Sequence, residues 1–287
     1  GIERIEAVAT SAVRDAANGG AFLERVRAEA GLRVRVLTGV EEARLAYRSA
    51  LAHFELGAGR TVVMDIGGGS LELALTADGL VDRLSSHPFG AIRATEHFLV
   101  PAARAGRERV ERVERAVREL RRAVRWAVRD ELPVKEWRGG RVIGSGGTFT
   151  NLAAIVNARL GLRTQARHGT VVPRAELEHV LAMLASMPPA ERAAVPGLNP
   201  QRADIIVGGL AVAAEVMAVF EARELLVSGY GIREGLLLES ARVMPRVSDP
   251  GEARERSVRE FAERCHFEEP HGVQVRRMAL QLYDQLG

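Results

Sequence analysis

The spacing of hydrophobic and polar positions changes several times along the chain, and each change predicts an element. In NGGAFLERVRAEAG, residues 18–31, Phe22, Leu23, Val26 and Ala30 share one helix face and Gly31 marks a stop. LRVRVL, 32–37, alternates apolar and arginine positions, as a half-exposed strand does. EEARLAYRSALAHF, 41–54, returns to helical spacing, with Tyr47, Ala50, Leu51 and Phe54 on one side. TVVMDI, 61–66, is a short apolar run suited to a central strand. LELAL, 71–75, alternates, and the GGGS between the two predicts a hairpin. A long helix is expected over 107–131, with Val110, Val113, Val117, Leu120, Val124 and Val128 as its apolar stripe.

Further on, RVIGSGGTFTNLAAIV, 141–156, reads as strand, glycine turn and helix. PRAELEHVLAMLASM, 173–187, is helical, and PPAERAAVPGLNP, 188–200, is a proline-rich connection. RADIIVGGLAVAAEVMAVF is apolar all round and predicts a buried helix. ELLVSGYGIREGLLLE, 224–239, is again strand, glycine turn and helix. MPRVSDPGEARERS, 244–257, has a linker's composition, and the last thirty residues read as two helical segments. The element order is mixed α/β.

Composition narrows the function classes. With 287 residues, the chain can hold two ordinary domains. One cysteine, Cys265, excludes a disulfide framework and fits a reducing, cytoplasmic setting. The apolar run 205–220 is interrupted by Glu215, so no membrane span is expected. The net charge is +3, and the arginines of 104–129 alternate with glutamates, which reads as a solvated helix face rather than a nucleic-acid surface. Lys135 is the single lysine and lies in PVKEW, which excludes a Walker A loop.

Candidate chemistry lies in three glycine turns: DIGGGS, GSGGT and SGYG. Glycine lets backbone amides wrap an anion, and a following helix N-terminus adds its dipole. GSGGT leads into FTNLAAIV, with Thr148 near the helix start. DIGGGS adds Asp65 at a strand end, where a divalent metal or a water could be held. Phe149 stands where a dinucleotide fingerprint needs its third glycine. Glu72 stands where a nucleophile elbow needs glycine, which makes Ser70 a phosphate donor rather than a nucleophile. No Cys/His set has zinc spacing.

Seven segments, in order, carry a resemblance. ATSAVRDAANG, VLTGVEEARLAY, VVMDIGGGSLEL, FGAIRATEHF, VIGSGGTFTNLAAI, PGLNPQRADIIVGGLAV and VSGYGIREGLL resemble the exopolyphosphatase / guanosine pentaphosphate phosphohydrolase family, from residue 7 to about 239. The resemblance implies a ribonuclease H-like, two-lobed fold of the actin-like ATPase superfamily. It implies release of phosphate from inorganic polyphosphate or from the 5′ end of guanosine pentaphosphate, with Mg2+. Carried over by motif, Glu42 would be the general base, and Asp65 would hold Mg2+ or orient the attacking water. Arg14, Gly67, Gly68, Gly69, Ser70, Glu72, Gly146, Gly147 and Thr148 would line the phosphate site. Leu71 replaces the threonine usual in the family, which removes a hydroxyl. Members are often dimers, so a homodimer is an expectation; no nucleic-acid or membrane partner is expected.

The same resemblance divides the chain into the remainder of a first lobe (1–57), a second lobe (58–243), and a linker with the start of an all-α HD-like domain (244–287). Residue 1 lies shortly before ATSAVR, so the family's opening Asp-Gly-Ser hairpin is expected to be missing, as is most of the HD-like domain. His271 resembles the first histidine of an HD-like site, but no His-Asp pair follows it, and it is assigned no metal. Two other readings share the glycine turns: a non-catalytic sensor of guanosine tetraphosphate or polyphosphate, and an actin-like kinase or ATPase. Retention of Glu42, Asp65 and Arg14 together favours the hydrolase.

Overall fold

The computed structural model describes residues 5–54, 56, 59–102, 109–162, 167–241 and 243, with scattered helical positions between 272 and 285. The expected linker and HD-like start, 244–287, therefore lie largely outside the described residues.

The chain opens with β1 (Ala7–Ala9), α1 (Ser11–Arg14), α2 (Gly19–Ala30) and β2 (Val34–Val36), and β1 and β2 pair in parallel. Gly31 ends α2 in the left-handed conformation, at φ 67°, as its place after the periodic run predicts. Then comes α3 (Gly39–His53), opened by a capping box. The Thr38 hydroxyl accepts from the Glu41 amide, and the Glu41 carboxylate accepts from the Thr38 amide.

The larger sheet begins with a meander, β3 (Arg60–Ile66), β4 (Leu71–Ala77) and β5 (Leu80–His87). Next are α4 (Ala91–Ala94), which runs into a π turn, and α5 (Arg109–Glu131). After them come β6 (Arg141–Ser145), α6 (Gly147–Arg159), β7 (Val171–Pro173), α7 (Arg174–Ser186), α8 (Pro189–Arg192), α9 (Ile206–Val219), β8 (Glu224–Val227) and α10 (Ile232–Ser240). Strand order is β5-β4-β3-β6-β8-β7. The meander is antiparallel, β3, β6 and β8 run parallel, and β7 closes the far edge antiparallel. An antiparallel meander continued by parallel strands is the ribonuclease H-like arrangement.

Alternation along β3 divides the core. Val62, Met64 and Ile66 face the larger core with α5, α6, α7 and α9. Val63 faces Ala46 and Ala50 of α3, with Ala74 and Ile143 beside it. Asp65 belongs to this second face. On α5, Val113, Leu120, Val124 and Val128 are buried as the stripe predicts, but Ala116 is buried and Val110 is exposed. The apolar run from 202 forms α9 only from Ile206, after a 3-10 turn at Pro200–Arg202. Strand β5 has no clear apolar alternation, because its inward positions include Ser85 and His87.

The amino end of α3 is held against β5, where a Cβ on Gly39 would collide with Ser86. Its middle is held by α10, where a Cβ on Gly235 would collide with the Leu45 carbonyl. Gly235→Ala is expected to lower unfolding stability by about 1–3 kcal/mol, through overpacking. Chemical denaturation checks this, and an unchanged midpoint would show that α10 can lift from α3 without cost.

Candidate active site

The register of the large sheet sets four polar residues in one row. Asp65 on β3 lies opposite Glu72 on β4 and beside Ser145 on β6. Glu72 in turn lies opposite Ser86 on β5. Residues directly opposite share a face, so two carboxylates are set side by side with a hydroxyl on each flank. The Ser145 hydroxyl donates to Asp65 Oδ1 at 2.6 Å, and the Ser86 hydroxyl donates to Glu72 Oε1 at 2.9 Å. Asp65 is 5% exposed and Glu72 1%. Glu72 Oε2 is buried and makes no hydrogen bond of ordinary geometry to a described residue. Burial pushes the Asp65 carboxyl above its usual range. Burial first, and then the charge of Asp65, push Glu72 up to about 8.

A third carboxylate descends on the row from α3. The capping box turns Glu41 outward to Thr38, and the next position on the helix, Glu42, turns inward to 2% exposure. Arg14, the last residue of α1, donates from Nη1 to Glu42 Oε1 and also, at 2.6 Å, to the Leu37 carbonyl. Burial raises the pKa of Glu42; the bond to Arg14 resists the shift, and the charges of Asp65 and Asp15 add to it.

The glycine turns sit around these acids. In Gly67–Ser70 the Gly67 amide donates to the Ser70 carbonyl at 3.1 Å. The first amides of α4 donate to the Gly67 and Gly68 carbonyls, both at 2.9 Å, which locks the turn from behind. Ser70 is buried beside it. Gly146 takes φ 102°, and a Cβ there would lie 2.7 Å from the Ile66 carbonyl and 3.3 Å from Asp65 Oδ1. Only glycine lets the second turn meet the first at this point. Gly147 then begins α6. Thr148 is buried with its hydroxyl against Gly209 of α9, so it offers the turn its backbone and not its side chain. The third turn arrives as well: a Cβ on Gly231 would lie 4.0 Å from Asp65 Oδ1.

Glu42, Asp65, Glu72 and Arg14 are thus brought together with the Gly67–Ser70 and Gly146–Gly147 turns. Two arginines were not selected from the sequence. The Arg202 guanidinium fills the space over Gly147. Arg93 reaches the Gly69 turn, where its Nη2 lies 3.6 Å from the place of a Cβ, and pairs with Asp15. Their signals were the segments PGLNPQRADIIVGG and FGAIRATEHF, which carry the resemblance without marking either residue.

Among the described residues, no group of three or more His, Cys, Asp or Glu side chains is arranged to hold a metal ion. Asp65 and Glu72 nevertheless fit Mg2+, which takes one or two carboxylates and completes its shell with water and substrate phosphate. The raised pKa values show that burial disfavours ionisation of this pair, a cost that a dication would offset.

Residues 1–243 match the family model described as the Ppx/GppA phosphatase family. The chain belongs to the Ppx/GppA phosphatase family. It is 33% identical over 249 residues to Exopolyphosphatase 1 of Mycobacterium leprae, covering 83% of this chain and 68% of that protein. It is 28% identical to the guanosine-5'-triphosphate,3'-diphosphate pyrophosphatase of Vibrio vulnificus, covering 99% of this chain and 54% of that longer protein. The crystal structure of the Aquifex aeolicus Ppx/GppA family member superposes with a TM-score of 0.67 at 30% identity, covering 84% of this chain and 74% of that one. None of the described helices of this Ppx/GppA chain is long and apolar enough to cross a membrane.

The folded-state pKa of Glu72, about 8, lies above its ordinary value of 4.5. Between those values the folded protein holds a proton that the unfolded chain has released, so stability falls as pH rises through this window. Metal-free Glu72→Gln is expected to melt several degrees above the parent at pH 8, with the gap closing toward pH 4.5. A variant that melts lower at pH 8 would refute the raised pKa of this buried carboxyl.

Proposed function

We propose that this chain is a phosphoanhydride hydrolase. It releases terminal phosphate from inorganic polyphosphate, or the 5′ phosphate of guanosine pentaphosphate, by attack of a water activated by Glu42. The observation that carries this reading is the convergence of three buried carboxylates and Arg14 on the junction of two glycine turns. The names of the relatives above supply the substrate classes.

Phosphoryl transfer asks little covalent chemistry of a protein; it asks for alignment and for balance of negative charge. The amides of Gly68–Ser70 and the amino end of α6 at Gly147 point to anion binding. Arg14 and Arg202 add planar guanidinium donors that match phosphate oxygens. Arg14 also links binding to base strength. In the structure it donates to Glu42. A phosphate that takes the guanidinium leaves Glu42 buried without its counter-charge, which raises its affinity for the proton of water.

Asp65 and Glu72 would hold Mg2+, whose charge would offset that of the phosphoryl oxygens. Ser145 and Ser86 fix the orientation of the two carboxylates. We take the setting to be cytoplasmic, in keeping with a single cysteine, and the working assembly to be a homodimer, as the family resemblance implies.

Glu42→Gln is expected to lower kcat by about 10²–10⁴-fold with little change in KM, because it removes the base and keeps the shape. Arg14→Lys should raise KM by about tenfold or more, since an ammonium cannot grip phosphate in bidentate fashion. Phosphate release from polyphosphate and from guanosine pentaphosphate, with Mg2+, checks both. Undiminished release by Glu42→Gln would remove that residue from the role of base.

A further inference from the structure

Asp15, the residue that caps the end of α1, sits between two arginines. Its Oδ1 lies 3.5 Å from Nε of Arg14, and its Oδ2 accepts from Nη2 of Arg93 on α4. Neither α1 nor stability explains the placement. A carboxylate beside the last carbonyls of a helix gains nothing from that helix. The side chains of Arg14, Asp15 and Arg93 are 26%, 38% and 30% exposed, and ion pairs at such exposure contribute little to folding.

Arg93 is itself tied to the first glycine turn. Its amide donates to the Gly68 carbonyl at 3.2 Å, and its guanidinium lies beside Gly69. Ser11 of α1 reaches the same glycine, where a Cβ would lie 2.5 Å from the serine hydroxyl oxygen. The Asp15 amide donates to the Ser11 carbonyl at 2.9 Å. Asp15 is thus fixed at its backbone through Ser11 and at its carboxylate through Arg93, and both of these rest on the Gly68–Gly69 turn.

The Arg14 guanidinium has two edges that can take a phosphate in bidentate fashion, Nε with Nη2 and Nη1 with Nη2. Asp15 faces the first edge at Nε. Glu42 holds the second, because Nη1 donates to it as well as to the Leu37 carbonyl. A phosphate on the first edge would meet the charge of Asp15 and leave Glu42 paired. A phosphate on the second would take the guanidinium from Glu42, as the proposed reaction requires. The two carboxylates are not held alike. Asp15 has Arg93 as a second partner, whereas Arg14 is the one side chain hydrogen-bonded to Glu42 among the described residues. Asp15 therefore keeps its edge, and Glu42 gives up its own.

We propose that Asp15 is a positioning residue of the site: anchored by Arg93, it closes the Nε edge of Arg14 and directs the phosphoryl group to the Nη1–Nη2 edge, so that substrate binding frees Glu42. The inference rests on the hydrolase reading above and gives Asp15 and Arg93 a part in it.

The test uses the full chain with Mg2+ and follows phosphate release from polyphosphate. Asp15→Asn, which keeps the shape and removes the charge, should lower kcat about tenfold with KM within about threefold of the parent, the split expected where binding persists and the base is no longer freed. Arg93→Gln should show the same split, and the double variant should be no slower than Asp15→Asn, because one residue acts through the other. Asp15→Glu should recover most of the lost kcat. The exchange of Asp15→Arg with Arg93→Asp restores an ion pair, so it should melt as the parent does and still turn over slowly. Recovery of kcat by the exchanged pair would overturn the proposal, since a structural tie alone would then suffice. A rise in KM with kcat unchanged would overturn it by assigning Asp15 or Arg93 to substrate binding, and kinetics of Asp15→Asn within about twofold of the parent would overturn it as well. If the parent releases no phosphate, the hydrolase reading fails by itself, and inorganic tripolyphosphate then decides for Asp15. A crystal structure of that complex with the end phosphoryl on Nη1 and Nη2 of Arg14, and Asp15 kept at Nε, supports the proposal. A phosphoryl on the Nε edge or away from Arg14, or no binding by calorimetry, refutes it.

Discussion

The structure turns on a repulsion that the backbone enforces. Hairpin register puts Asp65 and Glu72 opposite each other at the end of a buried sheet, and α3 brings Glu42 over them. Three carboxylates in one dry place oppose folding, since burial and like charge both disfavour ionisation. What holds them is the ladder of main-chain hydrogen bonds on both flanks and the cores packed above and below the sheet. The side chains contribute only partial relief, through the hydroxyls of Ser145, Ser86 and Ser70 and through Arg14.

Such an arrangement suits the chemistry proposed. A site that is short of positive charge when empty gains most when a cation and a charge-bearing substrate arrive together. Stability is given up locally for that affinity, a trade common at functional sites. Arg14 stands at the centre of the exchange, because its guanidinium faces the base in the structure and phosphate in the proposed reaction.

The glycines serve a second purpose beside freeing amides for phosphate. At Gly39, Gly147 and Gly235 a side chain would collide with Ser86, Arg202 and the Leu45 carbonyl. These close approaches bring α3, α10 and the 3-10 turn at Arg202 to one end of the sheet. At the far end of α3 the rings of His53 and Phe54 meet Tyr230 and His168.

Much of this was legible from local pattern. The apolar run TVVMDI, the alternation of LELAL and the GGGS between them determined the hairpin, while its register, which sets Asp65 opposite Glu72, came from the paired strands. Helical spacing determined α3 and α5, and Gly31 the end of α2. Local pattern was silent on β5, whose inward Ser85 and His87 break the apolar rhythm, and misplaced Val110, because burial near a helix end depends on what packs there. Arg93, Arg202 and the ring cluster were equally hidden. They draw on segments far apart in sequence, and no spacing rule reports a contact between residues 53, 168 and 230. The sequence by itself thus determined which residues carry charge and which turns bare their amides. Tertiary structure alone decided which of them meet, because the energies that join them act through space and not along the chain.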